Sequence, residues 1–234
     1  MYNAHVKAYQ KIISAKFTQN RAQLFSRSIL AGVVLSLAGF ISVIAATTLQ
    51  NPIISSLLFS FGLVLIILLG AELFTSNCLV ILKPRQRKIF SRLLLIYIFN
   101  FLGVVIITTF LWGAGLLENY QDNIMSSATA KADLPLIAML LSGAIANFLV
   151  CIAAWLGSHE KDATKLVGII FPVMIFVMIK AEHSIANMFI FSAATLGSGH
   201  FELTYLNNIL WVTLGNVIGG FLFALILYLA HRTS

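Results

Sequence analysis

The sequence predicts an all-α membrane protein with six transmembrane helices in two inverted three-helix repeats, helices two and five being broken. Three observations carry that prediction. The 234 residues have a mean hydropathy of +0.95 and are 59% hydrophobic and only 10% charged, whereas a soluble domain is roughly a quarter charged. Six apolar runs reach the ~20 residues that a helical crossing needs. Two short motifs recur at equivalent places in the two halves of the chain.

Residues 1–27 carry His5, Lys7, Lys11, Lys16, Arg21 and Arg27 on a mixed polar stretch. This stretch lacks the apolar core and small-residue cleavage site of a signal peptide, so an amphipathic helix lying on the cytoplasmic surface is expected. Residues 28–234 form one six-span domain with no room for a separate soluble one. The runs are Ile29 to Leu49, Ile53 to Leu82, Leu93 to Leu117, Leu134 to Gly157, Leu166 to Gly199 and Leu206 to Ala230. The second and fifth exceed one straight span and hold ionisable residues near their middles. Glycines recur through the spans, as close helix packing in a membrane requires. Cys78 and Cys151 fall inside apolar runs, which suits small packing residues better than a disulfide or metal pair.

Orientation follows from the basic residues, since cytoplasmic flanks retain Lys and Arg. With six crossings, Lys7, Lys11, Lys16, Arg21, Arg27, Lys83, Arg85, Arg87, Lys88, Arg92, Lys161, Lys165 and Arg232 fall on one side, thirteen of the fifteen basic residues. Both termini are therefore expected in the cytoplasm. Glu118, Asp122, Asp133 and Glu202 fall on the other side, with Lys131 as its loop cation. The net charge of +7 thus belongs to membrane flanks and not to a nucleic-acid surface.

Ala71-Glu-Leu-Phe-Thr-Ser-Asn77 in the second run matches Ala181-Glu-His-Ser-Ile-Ala-Asn187 in the fifth at Ala, Glu and Asn. Asn100-x-x-Gly103 in the third likewise matches Asn216-x-x-Gly219 in the sixth. Three spans per repeat is an odd number, so the halves are inverted, the architecture in which broken helices meet near the midplane. A charged carboxylate in hydrocarbon costs about 2.5 kcal/mol or more. Glu72 and Glu182 are therefore expected to brace the breaks, each accepting hydrogen bonds from N–H groups freed there. His183 is the one histidine within a span; an isolated buried histidine is usually a packing residue, but its place on a repeat-related break opposite Thr75 favours a pore role.

Four blocks, Gly70-Ala-Glu-Leu-Phe-Thr-Ser-Asn77, Ala146-Asn-Phe-Leu-Val-Cys151, Glu182-His-Ser-Ile-Ala-Asn-Met-Phe189 and Trp211-Val-Thr-Leu-Gly-Asn-Val-Ile-Gly-Gly220, stand in an order that resembles the formate/nitrite transporter family. The resemblance runs from about Arg27 to the C-terminus. It implies an aquaporin-like protomer in a homopentamer in the inner membrane, with lipid bilayer and a small anion as its partners, no nucleic acid and no cofactor. The implied function is channel-like passage of a small monovalent weak-acid anion, nitrite or formate, linked to a proton at a central histidine. By resemblance, Thr75 and His183 face each other in the pore with Asn147 and Asn187 nearby. Phe59 and Phe176 match an outward constriction, and Leu63, Leu73, Phe74 and Val150 an inward one. Lys131 matches a family lysine that draws anions in. The stretch Asn207 to Asn216 looks more like nitrite-type members; hydrosulfide, acetate and lactate are alternatives within the family.

One departure is Lys180-Ala181, where the family commonly has Gly and an aromatic. Two readings stand: Lys180 raises anion occupancy near His183, or it snorkels or pairs with Glu182 away from the pore. Rival functions find little support. A neutral-solute aquaporin-like pore would carry Asn-Pro-Ala at both half-helices, yet the single Asn-Pro pair, Asn51-Pro52, sits at a span boundary. An enzyme would need a metal cluster or a nucleophile–base pair, and neither HExxH nor Cys–His spacing occurs. No catalytic or metal-binding residue is expected.

Overall fold

A computed structural model describes Ser14 and residues 18–79, 89–158 and 162–230, and among them every regular element is helical. Most of the expected N-terminal surface helix, and the basic residues Lys83, Arg85, Arg87, Lys88, Lys161 and Arg232, lie outside the described residues.

Helix α1, Arg21–Thr48, begins at a reciprocal cap: Gln23 N–H donates to Asn20 Oδ1 at 2.9 Å, and Asn20 N–H donates to Gln23 Oε1 at 3.0 Å. It therefore starts ahead of the apolar run that signals it. Helix α2, Pro52–Leu68, takes Asn51 as N-cap, its side chain accepting from the N–H groups of Ile53 and Ile54. Pro52 at the first helical position lacks the N–H that would be orphaned there. This accounts for the Asn-Pro pair as a helix start.

After a non-helical stretch come the short α3, Phe74–Asn77, and then α4, Ile89–Gly113. A 3-10 turn at Glu118–Tyr120 leads into α5, Gln121–Ala132, which is polar. Helix α6, Leu136–Gly157, precedes α7, Asp162–Met178; a second non-helical stretch separates α7 from α8, Ser184–Ser198. Helix α9, Leu203–Ala230, completes the order.

Four of these helices, α1, α4, α6 and α9, are long and apolar enough to cross a membrane, while α2, α7 and α8 are apolar but shorter. Large apolar side chains such as Phe90, Phe110, Ile137, Phe171 and Leu203 point outward. Such a surface would drive aggregation in water and suits lipid instead. The chain is thus a multi-pass membrane protein.

Two tight crossings organise the bundle. Where α1 meets α4, a Cβ on Gly32 would strike the Asn100 carbonyl oxygen and one on Gly103 the Ile29 carbonyl oxygen. Where α6 meets α9, Gly215 faces the Leu140 carbonyl in the same way and Gly219 the Ala144 carbonyl. Only glycine lets the backbones approach so closely. Helices α2 and α7 pack on each other between the two crossings and carry the non-helical stretches toward the centre.

Candidate functional site

The site grows from two helix ends that are built alike. Helix α2 closes with Gly70 N–H on Ile67 O at 3.2 Å and Ala71 N–H on Ile66 O at 2.9 Å. Helix α7 closes with Lys180 N–H on Val177 O at 3.0 Å and Ala181 N–H on Phe176 O at 2.9 Å. Both patterns are Schellman caps, which need a left-handed residue. Gly70 (φ 64°) and Lys180 (φ 55°) fill that place. Glycine does so without strain, whereas a residue with a Cβ gives up roughly 1–2 kcal/mol.

Beyond each cap the chain is extended for three residues, and one asparagine holds it. Asn100 Nδ2 donates to Glu72 O at 2.8 Å, and Phe74 N–H donates to Asn100 Oδ1 at 2.8 Å. In the second half Asn216 Nδ2 donates to Glu182 O at 3.0 Å, and Ser184 N–H donates to Asn216 Oδ1 at 2.9 Å. Each carboxamide thus acts as a neighbouring β-strand would, pairing with residues i and i+2. It also anchors to a third point, Ser28 O for Asn100 and Gly143 O for Asn216. In an extended chain the middle residue turns its own N–H the opposite way. Those N–H groups belong to Leu73 and His183, and neither has a hydrogen-bond partner among the described residues.

The freed N–H groups of Phe74 and Ser184 therefore go to asparagines and not to the glutamates, which differs from the expectation. Glu182 Oε1 instead accepts from Lys131 Nζ at 2.8 Å, and its Oε2 accepts from Asn187 Nδ2 at 2.5 Å. Glu72 Oε1 accepts from Gln19 Nε2 at 2.8 Å, with Arg92 Nη2 3.9 Å away. The physical reason is that both sets of groups have other partners. The N–H groups are already met by Asn100 and Asn216, and the carboxylates by side-chain donors from other elements.

His183 is the N-cap of α8, with Nδ1 accepting from Ala186 N–H at 3.2 Å. Assigned from that bond, the neutral ring carries its proton on Nε2. Nε2 lies 2.8 Å from Thr75 Oγ1, at the start of the other short helix and 108 residues away in sequence. The ring face stacks on Phe176 (centroids 5.9 Å, 18°), and Phe176 meets Phe59 edge-on at 5.8 Å. Thr75 and His183 are both buried. Leu63, Leu73, Phe74 and Val150 belong to the same buried apolar cluster as Phe59 and Phe176, and Phe74 also meets Tyr97 edge-on at 4.9 Å.

Thr75, His183, Phe59 and Phe176 are thus brought together. The remaining expected polar residues are engaged elsewhere. Asn147 Nδ2 donates to Asn216 O at 2.5 Å, and Asn187 Nδ2 serves both Glu182 and Asn208 Oδ1. Lys131 spends its ammonium on Glu182, and its carbonyl accepts from Asn208 Nδ2 at 2.8 Å. Lys180 is exposed and makes no ion pair among the described residues, so the expected alternative of pairing with Glu182 is not what the structure contains. Sequence reasoning missed Asn100 and Asn216 as clamps although it found both in the recurring Asn-x-x-Gly; it missed Asn208 and Gln19 with no signal to find them.

The sequence profile of the family described as "Formate/nitrite transporter" matches residues 3–230. The "Formate-nitrite transporter" of Entamoeba histolytica is 33% identical, covering 94% of this chain and 67% of its own length. Nitrite transporter NirC of Escherichia coli (strain K12) is 31% identical over 74% of this chain and 69% of its own. Formate channel FocA of the same organism is 30% identical over 88% and 85%. Among solved structures, an "FNT family ion channel" superposes with a TM-score of 0.85 at 25% identity, covering both chains fully. A "Pentameric formate channel with formate bound" gives 0.80 at 24% identity over 89% of this chain and 96% of that one.

Proposed function

Because the chain belongs to the formate/nitrite transporter family, whose members are transporters and channels and not enzymes, we propose that it conducts a small monovalent anion of a weak acid, formate or nitrite. In this reading it spans the inner membrane six times with both termini in the cytoplasm. The two halves are inverted repeats, and five copies assemble as in the pentameric formate channel it resembles.

One observation carries the reading: the 2.8 Å contact between Thr75 Oγ1 and His183 Nε2, where two helix breaks meet beneath the Phe59–Phe176 pair. A rim of Phe and Leu offers an anion no hydration, so its charge must be met on the way. The unpartnered backbone N–H groups of Leu73 and His183 and the hydroxyl hydrogen of Thr75 supply donors. Because Nε2–H donates to Thr75 Oγ1, the Thr75 O–H stays available for the arriving oxygen. Proton-linked passage follows if the anion, once between the constrictions, stabilises an imidazolium formed by uptake of one proton from the aqueous side, which then transfers that proton to the anion and returns to neutral imidazole as the weak acid leaves. Such an imidazolium has an N–H at Nδ1, so Ala186 N–H must release its cap while the proton is held. Lys131 acts through Glu182 and Asn187, holding the His183 loop in place while adding positive potential.

The test is stopped-flow flux into proteoliposomes at two pH values, with formate, nitrite, hydrosulfide, acetate and lactate as a panel. Wild type is expected to pass formate or nitrite with pH-dependent flux, and His183→Asn to stay folded and lose that dependence. Unchanged pH dependence in the variant would remove His183 from the mechanism; failure of wild type to conduct any of the anions would overturn the function.

A further inference from the structure

Lys180 holds a backbone conformation that its counterpart leaves to glycine. The same two hydrogen bonds close α2 at Gly70 and α7 at Lys180, with φ of 64° and 55°. Local structure alone therefore favours glycine at position 180. The helix dipole does not account for the lysine, since a cation anywhere in the last turn of α7 would complement it without a left-handed backbone.

Its place in the fold suggests another use. Ile169, Val173 and Phe176 form a buried stripe along α7 at helical spacing. Lys180 stands just past the end of α7, at the left-handed position of its cap, and is exposed. It lies four residues past Phe176 and two past the last residue of α7, farther along the direction in which that helix runs. It is thus displaced from the Phe59–Phe176 pair toward the start of α2, the end taken above as outward. The nearest carboxylate in sequence, Glu182, is occupied by Lys131 and Asn187. No described carboxylate is within ion-pair distance of Lys180.

From this placement we infer that Lys180 is an anion-recruiting residue at the outward mouth, concentrating substrate just outside the aromatic constriction. The inference rests on the channel reading above. Lys180 touches no reacting atom, and its effect is electrostatic: it raises local anion occupancy without changing passage past His183.

Formate influx into proteoliposomes tests this, with ionic strength set by an impermeant salt. At ~10 mM the Debye length is about 30 Å, and at 1 M about 3 Å. Lys180→Gly relieves the backbone, so loss of fold is not a confounding outcome. It is expected to lower low-salt influx at subsaturating formate about threefold, the effect of one charge roughly 6 Å from the anion in a high dielectric. Its maximal rate is expected to stay the same. Lys180→Arg is expected to match wild type, Lys180→Glu to fall about tenfold, and all four proteins to converge at 1 M. Equal salt dependence in wild type and Lys180→Gly overturns the inference, as does a loss of the same size at every ionic strength. A wild type that conducts no formate or other anion of the panel overturns the channel reading and this inference together; a conducting wild type with an indifferent Lys180 overturns this inference alone.

Discussion

Replacing Asn216 by alanine tests the clamp at the second break most directly. The side chain is fully buried and makes three hydrogen bonds, to Ser184 N–H, Glu182 O and Gly143 O, at 2.8 to 3.0 Å. Gly143 O belongs to α6 and keeps its helical partner, so its loss matters least. Ser184 N–H and Glu182 O belong to the non-helical stretch and have no second partner within reach. Leaving a buried polar group unsatisfied costs about 1–3 kcal/mol each, hence ~2–6 kcal/mol for the two. For a chain of this size, 1 kcal/mol moves a melting temperature by about 2–4 °C. A fall of at least ~4 °C is therefore expected in detergent-solubilised protein, read by thermal scanning fluorimetry. Asn216→Leu restores the lost volume without the hydrogen bonds, which separates the cavity from the unpaired groups. Both variants are also expected to lose flux, because the His183 position depends on the clamped strand. If both melt within ~2 °C of wild type, the clamp argument is wrong.

Two further outcomes follow from the same geometry. Lys131→Met strands a buried Glu182 carboxylate and is expected to destabilise by about 2–4 kcal/mol, somewhat below a fully buried pair because the lysine is partly exposed. Adding Glu182→Gln removes the stranded charge, so the double variant is expected to be more stable than Lys131→Met alone in the same thermal scans; a simple sum of two losses would contradict the pairing. Phe59→Ala with Phe176→Ala opens the edge-on pair and is expected to admit anions larger than lactate in the flux assay, and continued exclusion of those anions would place the size filter elsewhere.

Much of the bundle was legible in the sequence because membrane insertion writes itself into composition. Apolar runs of spanning length follow from the bilayer alone, whatever the helices touch. The two interruptions were legible too, since Glu72, Glu182 and His183 sit where hydrocarbon does not tolerate them, and their spacing recurs. Helix starts were less visible. The cap at Asn20 and Gln23 extends α1 into a polar stretch that hydropathy reads as flank.

The partners of the polar residues were not legible. Glu182 faces Lys131, 51 positions away, and Asn216 reaches back 34 residues to Glu182. Nothing in local propensity records such distances. The sequence alone could show that Asn100 and Asn216 recur, yet not that each stands in for a missing β-strand.

What the sequence by itself determined is a six-run apolar chain with ionisable residues inside the second and fifth runs, because the cost of burying them is a property of each residue and of the bilayer. Only the tertiary structure decided which polar groups satisfy one another and which stay available. Asn147, Asn187 and Lys131 are engaged by the scaffold, while Thr75 and His183 meet across 108 residues with donors to spare. That choice depends on helix crossings set by backbone contact at Gly32, Gly103, Gly215 and Gly219. A shift of one turn at either crossing would carry the two breaks past each other and leave Thr75 and His183 apart.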